Sequence, residues 1–197
     1  MARMQPLSAD TTPELQNKFA HFQKTLGFVP NSFLTMQRRP KIVQAFTDLN
    51  AAVFDPQGSV DLGFKRLLGY MASAAAGCQY CQAHTSVSAT RHGISADKIS
   101  AAWDYENSDL FTIAEKVALE FALASASVPN NVTDDLYDRL SEHWQEGEIV
   151  EMLAVIAMFG FLNRWNDTMA TPLEDEAATH ASQLIADSGW TVGKHGG

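Results

Sequence analysis

Apolar residues recur at intervals of three and four along most of the chain, and the strict alternation that is typical of strands is nearly absent. This spacing places apolar side chains on one face of a helix, where they can pack against a neighbouring element. The sequence therefore predicts an all-α fold. The expected helical segments are 13–28, 41–54, 60–76, 78–93, 95–103, 112–127, 130–144 and 146–165, with a short helical turn within 29–40.

Residues that favour helix ends mark several of these boundaries. Thr112 is followed three residues later by Glu115, which is the pattern of a capping box. Ser95 and Thr133 are expected to cap the N-termini of two further helices. Gly93 is the expected C-terminal cap of the helix that carries the cysteines.

The helical pattern is continuous enough to predict a single domain over 1–197. Its expected parts are an N-terminal helical part at about 12–59, a core at 60–174 and a tail at 175–197. The segment 146–165 is the most apolar one, which favours a position at the centre of the core. The Gly-rich end of the tail is expected to be mobile.

Acidic residues outnumber basic ones, with 23 Asp and Glu against 14 Lys and Arg, which gives a formal net charge of −9 at pH 7. A nucleic-acid-binding protein is expected to carry a basic patch, and anionic membranes also attract basic segments. The charge therefore argues against both partners. With 46% hydrophobic and 19% charged residues, the chain can bury a core, and leftover apolar surface hints at a homo-oligomer.

Neither a secretory signal nor a membrane span is expected. The start of the chain lacks an apolar run of about 7–15 residues, and the most apolar segment carries Glu148, Glu151 and Arg164. The two cysteines lie three positions apart, which is unlike the disulfide framework of a secreted protein. We therefore expect a cytoplasmic protein.

The two cysteines, Cys78 and Cys81, fall in the first turn of a predicted helix. The thiolate is the reactive form of cysteine, and the positive end of a helix lowers the pKa of a thiol placed there. Positions three apart share one helix face, so one sulfur can attack the other once it is oxidised. His84 lies on the same side within about one turn and can move a proton to or from the sulfur.

Two other interpretations of the pair stay open beside redox chemistry. Buried free cysteines often act only as small apolar side chains in a core. Alternatively, Cys78, Cys81 and His84 can supply three zinc ligands, with His92 or another histidine as a fourth. Structural zinc sites usually join two such pairs, and the chain has no second one, so the expectation is that no metal binds.

The segments AAAGCQYCQAHT and FKRLLGYMASA, together with the later MFGFLNRWNDTMATPLE, resemble the carboxymuconolactone decarboxylase superfamily, in particular its alkyl hydroperoxidase AhpD-like, peroxidase-related branch. The likeness covers 26–174 and includes LGFVPNSF and RRPKIVQAF. It implies a helical bundle of about six core helices plus N-terminal helices, and an obligate homo-oligomer (dimer, trimer or hexamer).

The same resemblance implies a cofactor-independent peroxidase that reduces a peroxide substrate and is itself reduced by an external thiol or protein reductant. It assigns Cys81 as the peroxidatic sulfur, Cys78 as the resolving sulfur and His84 as the proton relay. Beside this reading stand a carboxymuconolactone decarboxylase-like enzyme, although that branch lacks the cysteine pair, and a non-catalytic oligomer that senses redox state or binds zinc.

The chain departs from the family pattern at two positions. Thr85 stands where the family's relay histidine is usually found, and Arg66 stands in place of the relay glutamate. An arginine stays protonated at neutral pH, so Arg66 cannot relay a proton, but it can stabilise a thiolate or bind an anionic substrate. Two alternatives follow: either another carboxylate, for instance Glu106, Glu151 or Asp167, orients His84, or the protein carries out slower or different chemistry.

Two further features are weaker candidates. Tyr80, between the cysteines, can hydrogen-bond a peroxide or simply pack beside the site. Polar residues that follow the apolar helix can line the pocket or a subunit interface, namely Asn163, Arg164, Asn166 and Asp167. Alternatively, Arg164 and Asp167, three positions apart, form only a surface ion pair.

Overall fold

The computed structural model describes residues 2–196, and helices account for 68% of the chain. No strand occurs within this range, so the predicted all-α fold is confirmed. The α-helices are α1 (Gln16–Leu26), α2 (Asn31–Met36), α3 (Pro40–Val53), α4 (Leu62–Ala75), α5 (Gln79–Arg91), α6 (Ala96–Ser100), α7 (Ile113–Ala126), α8 (Asp134–Ser141), α9 (Glu146–Met169) and α10 (Asp175–Leu184). Short 3₁₀ turns lie at Pro13–Leu15, Ala101–Asp104, Ala186–Ser188 and Gly193–His195.

The three predicted N-terminal caps are present, whereas the C-cap of α5 is His92 and the predicted Gly93 follows it with φ +92°. The side chain of Ser95 accepts the backbone N–H of Lys98 at the start of α6. Thr112 and Glu115 form the complete capping box of α7, and Thr133 caps α8. Because these bonds satisfy backbone N–H groups that have no partner inside the helix, they fix where each helix begins.

Helix α4 lies at the centre of the fold and packs against α5, α7 and α9. Leu67, Leu68, Tyr70 and Met71 on α4 have no accessible surface. Buried residues occur on nearly every side of this helix, which is typical of a helix that has neighbours all around it.

The most apolar segment is central on one side only. Helix α9 packs against α3, α4, α5, α7 and α8, but Val150, Leu153 and Phe161 on its other side are 66%, 45% and 42% exposed. The helix is apolar around its circumference, and a single chain covers only part of it. Among the helices described here, none has the length and apolarity needed to cross a membrane.

The tail returns to the start of α5 instead of extending away. Helix α10 packs against α5, and the indole Nε1 of Trp190 donates to the carbonyl oxygen of Gln79 at 3.0 Å. His195 is fully buried, and its carbonyl oxygen accepts the N–H of Leu173 at 2.8 Å. The expected mobile end is therefore packed as far as residue 196, and Gly197 lies outside the described residues.

Helices α4 and α9 approach closely at Gly69. A Cβ atom at this position would lie 2.5 Å from the ring of Phe159, so the absence of a side chain sets the spacing of the two helices. We expect Gly69→Ala to lower the free energy of unfolding by about 1–3 kcal/mol, because extra volume in a packed core forces displacement. Urea unfolding followed by circular dichroism measures this change.

Gly147, in the first turn of α9, is the matched control, since a Cβ there meets nothing within 4 Å. Gly147→Ala should leave the stability unchanged or raise it by about 0.5–1 kcal/mol, because alanine favours the helix. Equal effects of the two substitutions would contradict the close approach of α4 and α9.

Candidate active site

The turn between α4 and α5 determines where the cysteines lie. Gly77 adopts a left-handed conformation with φ +69°, which costs other residues energy. The N–H of Cys78 then donates back to the carbonyl oxygen of Ser73 at 3.1 Å, and α5 begins at the next residue. Cys78 is therefore the N-terminal cap of α5 and Cys81 lies in its first turn, as predicted.

The two thiols lie 3.4 Å apart and are not bonded to each other. Both residues are buried, with exposed fractions of 0% for Cys78 and 2% for Cys81. The side-chain amide of Asn166, on α9, approaches the Cys81 sulfur at 3.5 Å. Because the two thiols are only 3.4 Å apart, the sulfurs can form a disulfide with only a small movement of the backbone.

The surroundings of the two sulfurs shift their pKa values in opposite directions. A hydrogen bond from the Cys81 thiol, assisted by the backbone N–H groups of Cys81 and Tyr80, outweighs burial and lowers the pKa of Cys78. Burial, followed by the hydrogen bond and charge of Cys78, raises the pKa of Cys81 well above its ordinary value. The negative charge of Asp167 raises the pKa of both thiols. These opposite shifts favour Cys78 as the first of the two thiols to lose its proton.

His84, one turn further along α5, is held by a carboxylate from the end of the chain. Its Nε2 lies 2.7 Å from Oε2 of Glu174, and the Tyr80 hydroxyl donates to Oε1 of the same carboxylate at 3.0 Å. The backbone N–H of Asn31 also donates to Oε1, at 2.6 Å. Burial alone would raise the pKa of Glu174, but the charge and hydrogen bond of His84, together with the backbone N–H of Asn31, lower it on balance. The charged carboxylate thus fixes the orientation of the imidazole.

The expectation that Glu106, Glu151 or Asp167 orients His84 is wrong. Each of these carboxylates contacts another side chain, namely Tyr105 for Glu106, Lys65 for Glu151 and Lys194 for Asp167. Glu174 was missed because it lies 90 positions from His84 and no local spacing relates the two. The only sequence signal was its place at the end of the segment that resembles the family.

A cavity of about 460 Å³ opens beside the cysteines. Cys81 and His84 line it, whereas Cys78 is not part of its wall. Phe22, Phe33 and Phe46, from the N-terminal helices, contribute apolar surface. The cavity therefore gives a small molecule access to one of the two sulfurs.

The remaining predicted residues are divided between the cavity and its surroundings. Arg66, Tyr80, Thr85 and Asn166 line the cavity. The Thr85 hydroxyl donates to the carbonyl oxygen of Cys81 at 2.6 Å, so it is bound to its own helix. Asp167, outside the cavity, forms an ion pair of 2.7 Å with Lys194 and acts on the cysteines through its charge.

Within residues 2–196, no three His, Cys, Asp or Glu side chains are grouped so that they could hold a metal ion. His84 faces Glu174, and Nδ1 of His92 lies 2.8 Å from the carbonyl oxygen of Ser88 in its own helix. The arrangement therefore gives no support to zinc binding by the cysteine pair.

Comparison with known proteins links this site to characterised and uncharacterised relatives. Residues 40–124 match the model of the carboxymuconolactone decarboxylase family. The uncharacterized protein YnjA of Escherichia coli K12 is 33% identical over 97 residues, which is 49% of this chain. That match spans about half of YnjA, 53% of its length.

Two solved structures share most of the chain. The debrominase Bmp8 is 33% identical with a TM-score of 0.85, over 92% of this chain and 97% of that one. A Bmp8 variant with a cysteine replaced by alanine has been solved with 2,3,4-tribromopyrrole. A peroxidase-related protein with an alkylhydroperoxidase AhpD core, from Ralstonia eutropha JMP134, is 25% identical with a TM-score of 0.76, over 89% and 94% of the two chains.

The acidities of the thiols can be measured from thiolate absorbance near 240 nm as the pH is raised. We expect the wild-type protein to gain the absorbance of one thiolate below the ordinary cysteine pKa of about 8.5, because Cys78 receives the hydrogen bonds described above. Cys81→Ala should raise this pKa by removing the thiol donor, and Cys78→Ala should abolish the early transition. An early transition that persists in Cys78→Ala and disappears in Cys81→Ala would reverse the assignment.

Proposed function

Because this chain belongs to the carboxymuconolactone decarboxylase superfamily and has the AhpD-like fold, we propose that it is a thiol-dependent hydroperoxidase. The observation that carries the proposal is the pair of unbonded thiols at the start of α5, one of which faces a cavity shared with His84. In the proposal, Cys78, outside the cavity wall, is the thiol that ionises first, and Cys81, in that wall, receives the substrate. This is the arrangement that a two-cysteine redox reaction requires.

In the proposed first step, Cys81 is the sulfur that attacks the peroxide. The Cys78 thiolate takes the proton of Cys81 across the 3.4 Å contact, and the new Cys81 thiolate attacks the terminal oxygen of the hydroperoxide. The O–O bond breaks, the sulfur is oxidised to a sulfenic acid, and the departing alkoxide takes a proton from His84. Glu174 is a positioning residue, because it holds the imidazole toward the cavity.

In the second step, Cys78 resolves the intermediate. Its sulfur attacks the Cys81 sulfur, a disulfide forms, and hydroxide leaves with the Cys78 proton as water. Two thiols and one hydroperoxide thus give one disulfide, one alcohol and one water. An external thiol or protein reductant then supplies two electrons to restore the pair, with no bound cofactor.

The similarity to the debrominase Bmp8, over nearly the whole of both chains, favours reductive dehalogenation as a second candidate. The same two cysteines would act through analogous steps of bond formation and cleavage. The Cys81 sulfur would take the halogen while the carbon takes a proton, and Cys78 would then displace halide to give the disulfide. Both candidates end in the same oxidised protein and differ only in the bond that Cys81 attacks.

Thiol oxidation by defined substrates tests the proposal. We expect the reduced protein to lose both free thiols to one equivalent of an organic hydroperoxide much faster than free cysteine does, with an intact mass that corresponds to one disulfide. Cys81→Ser should abolish the reaction. Loss no faster than that of free cysteine would contradict the hydroperoxidase. Bromide release from 2,3,4-tribromopyrrole with slow hydroperoxide reaction would favour the second candidate.

We also propose that the chain acts as a homo-oligomer, with a contact between copies along the groove formed by α3 and α9. Ile42 and Leu49 on α3 and Phe161 on α9 expose apolar surface there. Leu49→Glu should reduce the mass measured by light scattering toward the 21.6 kDa of one chain. The control Val128→Glu, at an exposed apolar residue outside the groove, should not. An unchanged mass in Leu49→Glu would contradict this interface.

A further inference from the structure

Arg66 brings a positive charge to the cavity without a compensating negative one. Its guanidinium lies over the ring of Phe54, with its central carbon 3.3 Å from the ring centroid. The Nε atom is buried and has no hydrogen-bond partner within residues 2–196, and no carboxylate of that range forms an ion pair with Arg66. Burial lowers the pKa of Arg66 to about 10, so the group is still cationic at neutral pH.

The rest of the cavity wall is unusual for such an acidic protein. The chain carries a net charge of −9, yet no Asp or Glu is among the described residues that line the cavity. A second arginine at the wall, Arg91, is already paired with Glu176 at 2.6 Å. Arg66 is therefore the charge in this wall that remains available to a ligand.

A buried cation that lacks a partner costs free energy, and the cost falls when an anion binds to it. The planar guanidinium matches a carboxylate, which can accept two parallel N–H hydrogen bonds. Phe54 covers one face of the group, so the approach of an anion along the N–H edge is favoured. Apolar side chains, among them Phe33, Phe159 and Leu162, supply the remaining wall.

We propose that Arg66 binds the carboxylate of an organic substrate whose reactive group meets Cys81. The inference rests on the proposed hydroperoxidase and narrows its substrate class to organic hydroperoxides that combine an apolar body with a carboxylate. Such a molecule places its charge on Arg66 and its body against the aromatic wall. Its hydroperoxide then reaches the sulfur that lines the same cavity.

A matched pair of substrates tests this inference. Cumene hydroperoxide with a para-carboxylate and the methyl ester of that acid differ in charge at one end only. We expect the wild-type protein to lose its thiols about tenfold or more faster with the acid than with the ester at low substrate concentration, because a charge-assisted hydrogen bond is lost in the ester. Arg66→Met should bring the ratio close to one, and Arg66→Lys should retain part of it.

Arg91→Met is the comparison variant, because the charge of Arg91 is already neutralised by Glu176. It should change the acid-to-ester ratio much less than Arg66→Met does. If Arg66→Met slows the acid and the ester by the same factor, Arg66 acts on the thiols or on the fold, and the inference is wrong. A wild-type ratio near one would also overturn it.

Binding without reaction separates this inference from the proposed function. In the Cys81→Ala protein, calorimetry should detect binding of 4-isopropylbenzoate but much weaker binding of its methyl ester, and Arg66→Met should remove the difference. If this difference is present but no hydroperoxide oxidises the wild-type thiols, the hydroperoxidase fails and the carboxylate site stands. If hydroperoxides react but the benzoate binds no better than the ester, the carboxylate site alone fails.

Discussion

The placement of two thiols 3.4 Å apart at the start of α5 is the constraint on which the whole site depends. The left-handed turn at Gly77 ends α4 and allows Cys78 to occupy the cap position of the next helix. There the nearby thiol of Cys81 and the backbone N–H groups of the first turn lower the pKa of Cys78, which favours a negative charge on its sulfur. Because α4 is packed on several sides and α5 follows it after a short turn, the position of this charge is fixed by the core.

The two sulfurs of the site have different surroundings and, in our account, different roles. Cys78 has the lower pKa and lies outside the cavity wall, whereas Cys81 has the higher pKa and lies in that wall. In our account the first sulfur holds the charge at rest and passes it to the second when substrate is present. This arrangement protects the Cys78 thiolate from solvent, and a substrate in the cavity meets only Cys81. The pair formed by His84 and Glu174, one turn along α5 from Cys81, supplies the proton to the departing group.

The parts of this picture that depend on near neighbours in sequence could be predicted. Helix periodicity, the caps at Ser95, Thr112 and Thr133, and the location of the cysteines at a helix start all follow from short-range spacing. Glu174 could not be found in this way, because the tertiary fold alone brings it to His84. The central position of α4 was missed for a similar reason, since apolarity alone does not say how many sides of a helix find a neighbour. The sequence indicates that Arg66 departs from the family pattern, but only the folded structure reveals that its buried Nε has no hydrogen-bond partner among the described residues.

The most direct test of the central claim is to locate the first oxidised sulfur. In Cys78→Ala, one equivalent of an organic hydroperoxide is added in the presence of dimedone, and the protein is digested and analysed by mass spectrometry. Our account predicts a dimedone adduct of sulfenic acid on Cys81, formed more slowly than the wild-type disulfide because the internal base is missing. If Cys81→Ala instead forms the adduct rapidly on Cys78 while Cys78→Ala forms none, the roles of the two cysteines are reversed and the account is contradicted.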